Sequence, residues 1–177
     1  GIVSNGEYFD IEVNSTDSSN EMIKRINEAN VEGIEVLKYK LLDDNAKNCM
    51  AIIAGADYTA LGLNKLLTKD DLVVYLSQPE IVVLKKTKKS EKEIDIKPWI
   101  YGLKLTDEGL FMKVAQGLAF PGERSFLYTS EEDIVISSLF NYLQKDIPSL
   151  ITYQREEMYC MVDDKLVSLD EIGETIE

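Results

Sequence analysis

The chain contains no histidine. That absence excludes Ser-His-Asp and Cys-His nucleophilic catalysis within it, and every zinc site that needs an imidazole ligand. Cysteine is scarce as well. Cys49 and Cys160 are the only two, far apart and each among apolar neighbours, so they read as reduced, buried thiols rather than a disulfide framework or a cluster-binding set. Neither a GxxxxGK[ST] loop nor a GxGxxG turn is present. No apolar run approaches the roughly 20 residues of a membrane helix. The opening GIVSNGEYFD has no basic stretch followed by an apolar one, so it does not read as a secretory signal. No membrane partner and a cytoplasmic location are the expectations that follow.

What is present is ordinary globular material: 177 residues, 45% hydrophobic and 29% charged, enough for one domain of common size or two small ones. The formal net charge of −13 and a pI near 4.5 argue against a general nucleic-acid coat protein, because phosphate binding rests on clustered cations. Carboxylates, lysines and tyrosines are the chemistry that remains. No catalytic set, metal site or cofactor motif stands out among them.

The periodicities alternate between strand and helix. Residues 7–13, 33–42, 56–63, 80–87, 92–97, 99–106, 110–116 and 149–162 read as strands. Ser18 with Glu21, Thr68 with Asp71 and Ser130 with Asp133 have the spacing that caps a helix, and an apolar 3.6-residue pattern follows each. A strand, a capped helix and a second strand thus recur three times. This predicts an α+β fold of ferredoxin-like strand-helix-strand repeats, an antiparallel sheet with helices on one face. Two units complete one such domain over residues 46–177. Residues 1–45 are left as a strand-helix-strand half-domain that needs a partner half, expected N-terminal to it. The acidic tail DEIGETIE is expected to fray.

Positive charge is concentrated in one place. Lys85, Lys86, Lys88, Lys89, Lys92 and Lys97 stand against Glu91, Glu93 and Asp95, so residues 85–97 carry +3 and the other 164 residues −16. Two readings stay open. The run is either a basic hairpin arm that follows phosphates, with Trp99, Tyr58 and Tyr101 offering stacking faces, or a solvated hairpin whose lysines guard a strand edge. Asp95, between Ile94 and Ile96, is expected to pair with a nearby lysine. Trp99, the only tryptophan, fits either a stacking platform or a core anchor.

Several of these stretches together resemble a known bacterial domain. They are Gly6-Glu7-Tyr8-Phe9-Asp10, Glu32-Gly33-Ile34, Thr87-Lys88-Lys89, Ile94-Asp95-Ile96-Lys97-Pro98 and the Tyr-containing hairpin from Tyr159 to Ser168. The domain they resemble is a radical SAM-associated domain of unknown function, fused to or encoded beside a B12-binding-type radical SAM protein. Two positions depart from its pattern. Ser90 stands in place of a turn glycine, and Lys97 in place of an arginine, which removes a planar two-pronged donor. The resemblance implies a radical SAM protein as partner. It also implies that a further N-terminal part belongs with the half-domain.

These observations lead to a non-catalytic accessory domain that recognises RNA or a ribosome-related substrate. Its binding residues are expected to be Lys85, Lys86, Lys88, Lys89, Lys92, Asp95, Lys97 and Trp99. A module that docks on the radical SAM subunit is the second expectation. A carboxylate- and lysine-based enzyme is the third.

Overall fold

The most apolar strand lies where both of its faces can be covered. In the computed structural model, which describes residues 2–86, 91–116 and 130–177 (only the backbone of Lys85 and Lys86), that strand is Ile53–Leu61, and all of it but Leu61 is buried. Its small residues Ala54, Gly55, Ala56 and Ala60 leave room for neighbours on either side.

In chain order the elements are β1 (Ile2–Ser4), α1 (Ser19–Ala29), α2 (Cys49–Ile52), β2 (Ile53–Leu61), α3 (Lys69–Leu76), β3 (Val82–Lys86), β4 (Glu91–Asp95), β5 (Ile100–Leu105), β6 (Gly109–Ala115), α4 (Glu131–Tyr142), β7 (Tyr153–Val162) and β8 (Lys165–Ser168). The main sheet runs β1-β7-β2-β6-β5, and β8 also pairs with β7. Every pairing in it is antiparallel except that of β1 with β7. The fold is α+β, as expected. Two strand-helix-strand units, β2-α3-β5 and β6-α4-β7, interleave so that their outer strands β2 and β7 are neighbours at the sheet centre.

A bulge gives β7 two roles. Asp57 pairs with Glu157 but the next residue, Tyr58, pairs with Arg155, so Glu156 is the extra residue. Side chains alternate along a strand, and one inserted residue reverses the phase. Tyr153 and Arg155 therefore share the Tyr58 face, where Tyr153 donates a hydrogen bond to Asp133 of α4. Glu157 and Tyr159 share the opposite face with Asp57. Near the other end of β2, Gly109 stands opposite Leu61, where a Cβ would come 2.1 Å from the Ala60 carbonyl oxygen.

The helix starts behave differently from one another. Ser18 accepts from the Glu21 amide, and Thr68 with Asp71 forms a complete capping box. At α4 the Ser130 hydroxyl instead donates to the Asp133 carboxylate and caps no backbone amide. Tyr75, Leu139 and Phe140 from α3 and α4 are packed into the core with Tyr58, Leu110 and Met112 from the sheet.

The N-terminal stretch departs from expectation. Neither 7–13 nor 33–42 forms a strand. Beyond Arg155 the edge of β7 is interrupted by the bulge and then occupied by β8 from Tyr159, so no ladder is open to residues 7–13. Side chains hold them instead: Asn5 donates to Glu156, Arg155 pairs with Glu7, and Tyr8 donates to Glu157. In the second stretch, Asn27 of α1 takes the place of a neighbouring strand. Its side chain accepts from the Val36 amide at 2.7 Å and donates to the Val36 carbonyl at 2.9 Å. The tail does not fray. Leu41 and Glu174 exchange two backbone hydrogen bonds, and the Ile176 carbonyl accepts from the Ser19 amide while the Ile176 amide donates to the Ser19 hydroxyl oxygen.

Candidate functional site

Strands β3 and β4 form a two-stranded sheet of their own, outside the main one. This is the basic run. Its register sets Lys85 opposite Lys92 and Lys86 opposite Glu91. Residues 87–90, which include Lys88 and Lys89, lie outside the described residues, as do the side chains of Lys85 and Lys86.

The root of this hairpin is built by Asp95. One carboxylate oxygen accepts from the Ile81 amide at 2.8 Å and from the Lys97 amide at 2.9 Å, and the Ile96 amide donates to the Ile81 carbonyl at 2.8 Å. The Lys97 ammonium donates to the Gln78 carbonyl just after α3. Asp95 and Lys97 thus hold the arm to the body of the domain through backbone groups, and among the described residues the pairing of Asp95 is with amides. Ile96 is fully buried, so the apolar residue between these polar contacts completes the anchor. Trp99 follows on a short 3₁₀ turn and is 5% exposed, inside the core. Tyr58 is wholly buried, its hydroxyl donating to Gln116 and pushed up to about 12 by desolvation. Neither ring offers a face to a base.

A second constellation was not visible in the sequence. On the sheet face opposite α4, Asp57 of β2, Lys113 of β6, and Glu157 and Tyr159 of β7 converge, and Tyr8 arrives from the N-terminal stretch. Tyr159 donates to Asp57 at 2.7 Å, Tyr8 donates to Glu157 at 2.6 Å, and the Lys113 ammonium lies 3.6 Å from Asp57 and 4.0 Å from the centre of the Tyr159 ring. Burial pushes the Asp57 carboxyl above the ordinary aspartate range. Burial and the Asp57 carboxylate likewise raise Tyr159, and burial and Glu157 raise Tyr8. Both phenols therefore stay protonated and donating at neutral pH. The cluster fastens the N-terminal stretch across the sheet. Strand alternation puts these residues on one face only once the register is known, so no local spacing signals it.

On the α4 side, Glu132 is 1% exposed and one of its carboxylate oxygens has no hydrogen-bond partner among the described residues. Desolvation raises its pKa above the ordinary glutamate value. Glu132 and Asp133 border an open hollow of about 480 Å³ that also touches Ile2 and Tyr153. A smaller cavity of about 290 Å³ lies beneath Tyr8 and Phe9, against residues 38–52 and 169–172. It adjoins a wider groove of about 970 Å³ between residues 7–16 and 36–48. Among the described residues, no three acidic or cysteine side chains converge as a metal site, and no helix is long and apolar enough to cross a membrane.

Fold and surface together define a mixed α+β domain that carries a separately rooted basic hairpin. Residues 1–126 match the family model described as "Uncharacterized protein conserved in bacteria (DUF2344)", and the chain belongs to this family. The match takes in the N-terminal stretch, the hairpin and β2 to β6, and its description names no activity or partner. Comparisons with curated proteins and with solved structures each returned no match.

Proposed function

We propose that the chain is an accessory recognition domain of a radical SAM modification system, and that its β3–β4 hairpin contacts a polyanion, RNA or a ribosome-related substrate. In this reading the four strands β7-β2-β6-β5 with α3 and α4 form a ferredoxin-like platform, and the domain works in the cytoplasm. The observation that carries the proposal is the hairpin register. It sets Lys85 opposite Lys92 on a two-stranded arm outside the main sheet, so both strands contribute a lysine at the same level of the ribbon. A polyanion laid along the ribbon would meet that positive charge. The root formed by Asp95, Lys97 and Ile96 supports this by fixing the arm to the platform. The radical SAM partner comes from the resemblance of the Gly6–Asp10 and Ile94–Pro98 blocks.

The test is fluorescence anisotropy with labelled ribosomal RNA fragments, over a range of salt. Binding should weaken linearly with the logarithm of salt concentration, and K85E/K92E should abolish it. Affinity that is absent, or indifferent to this charge reversal, rejects the hairpin as the contact.

A second reading is favoured by the apolar side chains of the N-terminal region. Phe9 is 60% exposed, Leu37 69% and Met50 71%. Such a surface suits docking on a protein, here the radical SAM subunit. Co-purification of the two proteins that is lost in a Phe9→Asp, Leu37→Asp variant, and kept in K85E/K92E, would favour docking over RNA contact.

A further inference from the structure

The cavity beneath Tyr8 joins three distant parts of the chain, and its charge is unlike that of the whole. Lys38, Lys40 and Lys47 border it, against Asp10 and Asp170, in a chain whose net charge is −13. The carboxylates are partly engaged. Asp10 accepts the Cys49 amide at 2.7 Å. Asp170 meets Lys38 at 2.6 Å in an exposed pair, which contributes little to stability and exchanges readily. The Lys40 ammonium donates to the Asp170 backbone carbonyl, a neutral partner, and Lys47 has no ion pair among the described residues. The rest of the wall is apolar, with Leu42, Ile52, Leu169 and Ile172. The volume of about 290 Å³ lies at the lower end of what holds a small organic molecule.

An apolar recess with a few convergent polar groups is the usual form of a ligand site. Here those groups carry a surplus of positive charge, so the complement is an apolar body with a single acidic group. We infer that this cavity binds an amphipathic organic anion, its carboxylate, sulfonate or phosphate ester held by Lys40 and Lys47 and its apolar part against Leu42, Ile52 and Ile172. Such a ligand would bridge the N-terminal stretch, the 38–52 stretch and the tail, which few regular backbone hydrogen bonds join. The inference does not depend on the hairpin contacting RNA, and each can fail alone.

The experiment is a titration of the full chain with 1-anilinonaphthalene-8-sulfonate, followed by displacement with octanoate, octyl phosphate, octanol and octylamine. One saturable site is expected, displaced by octanoate or octyl phosphate, and their order distinguishes a carboxylate from a phosphate ester as the preferred head group. Octylamine and octanol should compete about 10-fold less well, and Lys40→Met with Lys47→Met should weaken octanoate by about the same factor. Ala46→Trp, at an exposed position on the rim, should obstruct entry, whereas Lys104→Met on β5 should change nothing. Equal competition by octylamine, or binding that survives both the lysine and the Ala46 variants, overturns the inference. Should the variants fold poorly, amide shifts of the unaltered chain on adding octanoate decide it. They must concentrate in residues 8–10, 38–52 and 169–172, and their absence there is equally fatal.

Discussion

The sheet with α3 and α4, and the strand-free stretch from residue 5 to 52 that carries α1 and α2, belong to one chain but are held by different forces. In the sheet, apolar burial and a continuous backbone ladder act together. β2 is buried on both faces and hydrogen-bonded on both edges, and Phe140 and Leu139 of α4 close the core over it. In the N-terminal stretch the ladder is missing and side chains replace it. Asn27 holds Val36, Tyr8 reaches Glu157, Glu7 meets Arg155, and the tail sews Leu41 and Ser19 in place. Phe9, Leu37 and Met50 remain in solvent. A region held by a few polar pins opens at lower cost than one held by packing, so the two should differ in local stability.

The largest expected effect tests the packed side. Phe140→Ala removes a ring that is almost entirely buried and should cost about 3–5 kcal/mol in urea denaturation. A loss below about 1 kcal/mol would mean that the core collapses around the gap and the contrast with the N-terminal stretch is overstated. Asn27→Ala tests the pinned side. Losing both hydrogen bonds to Val36 should cost about 1–2 kcal/mol and speed amide exchange at Val36 while leaving β2 protected. Equal acceleration in β2 would show that the two regions open as one unit. Tyr8→Phe deletes a single hydroxyl and leaves Glu157 without that donor, for about 0.5–1.5 kcal/mol. The effect should again be confined to exchange in residues 5–13 and their neighbours.

The smallest effect is a pH dependence at the boundary of the core. Burial holds the Glu132 carboxyl above its ordinary value of 4.5, so the folded chain keeps that proton to higher pH than the unfolded chain does. Between the two values the folded state binds more protons, and stability therefore falls as pH rises. Glu132→Gln removes this term. It should stabilise the chain at neutral pH relative to the parent, with the advantage fading as the pH falls toward about 4.5 and absent below it. Denaturation midpoints across pH 4–8 check the slope; a gain that persists unchanged in acid would assign the effect to packing.

Much of the regular architecture is legible residue by residue. Thr68 with Asp71 announces α3, and the structure forms the full box. The strand readings of residues 80–87 and 92–97 place both strands of the basic hairpin, and Pro98 marks where the second one ends. Residues 7–13 alternate as well as any strand, yet they meet the edge of β7 where the Glu156 bulge and then β8 deny them a partner. Residues 33–42 lose their ladder to the amide of Asn27, a side chain whose reach no periodicity encodes. Among the site residues, the lysines could be located from charge alone. The role of Asp95 could not, because the amides it binds, those of Ile81 and Lys97, are gathered only when the hairpin closes.

Composition and local pattern by themselves determined the α+β class, the caps of α1 and α3, the basic arm in an acidic chain and the chemistry that a chain without histidine excludes. These follow from short-range rules of backbone geometry and charge. Tertiary structure alone decided that Trp99 is core, that Tyr8, Asp57, Lys113, Glu157 and Tyr159 meet on one face, and that residues 8–10, 38–52 and 169–172 enclose one cavity. Those are contacts between residues up to 150 or so positions apart, fixed by strand register and by competition for sheet edges, and neither is written in any single stretch of the chain.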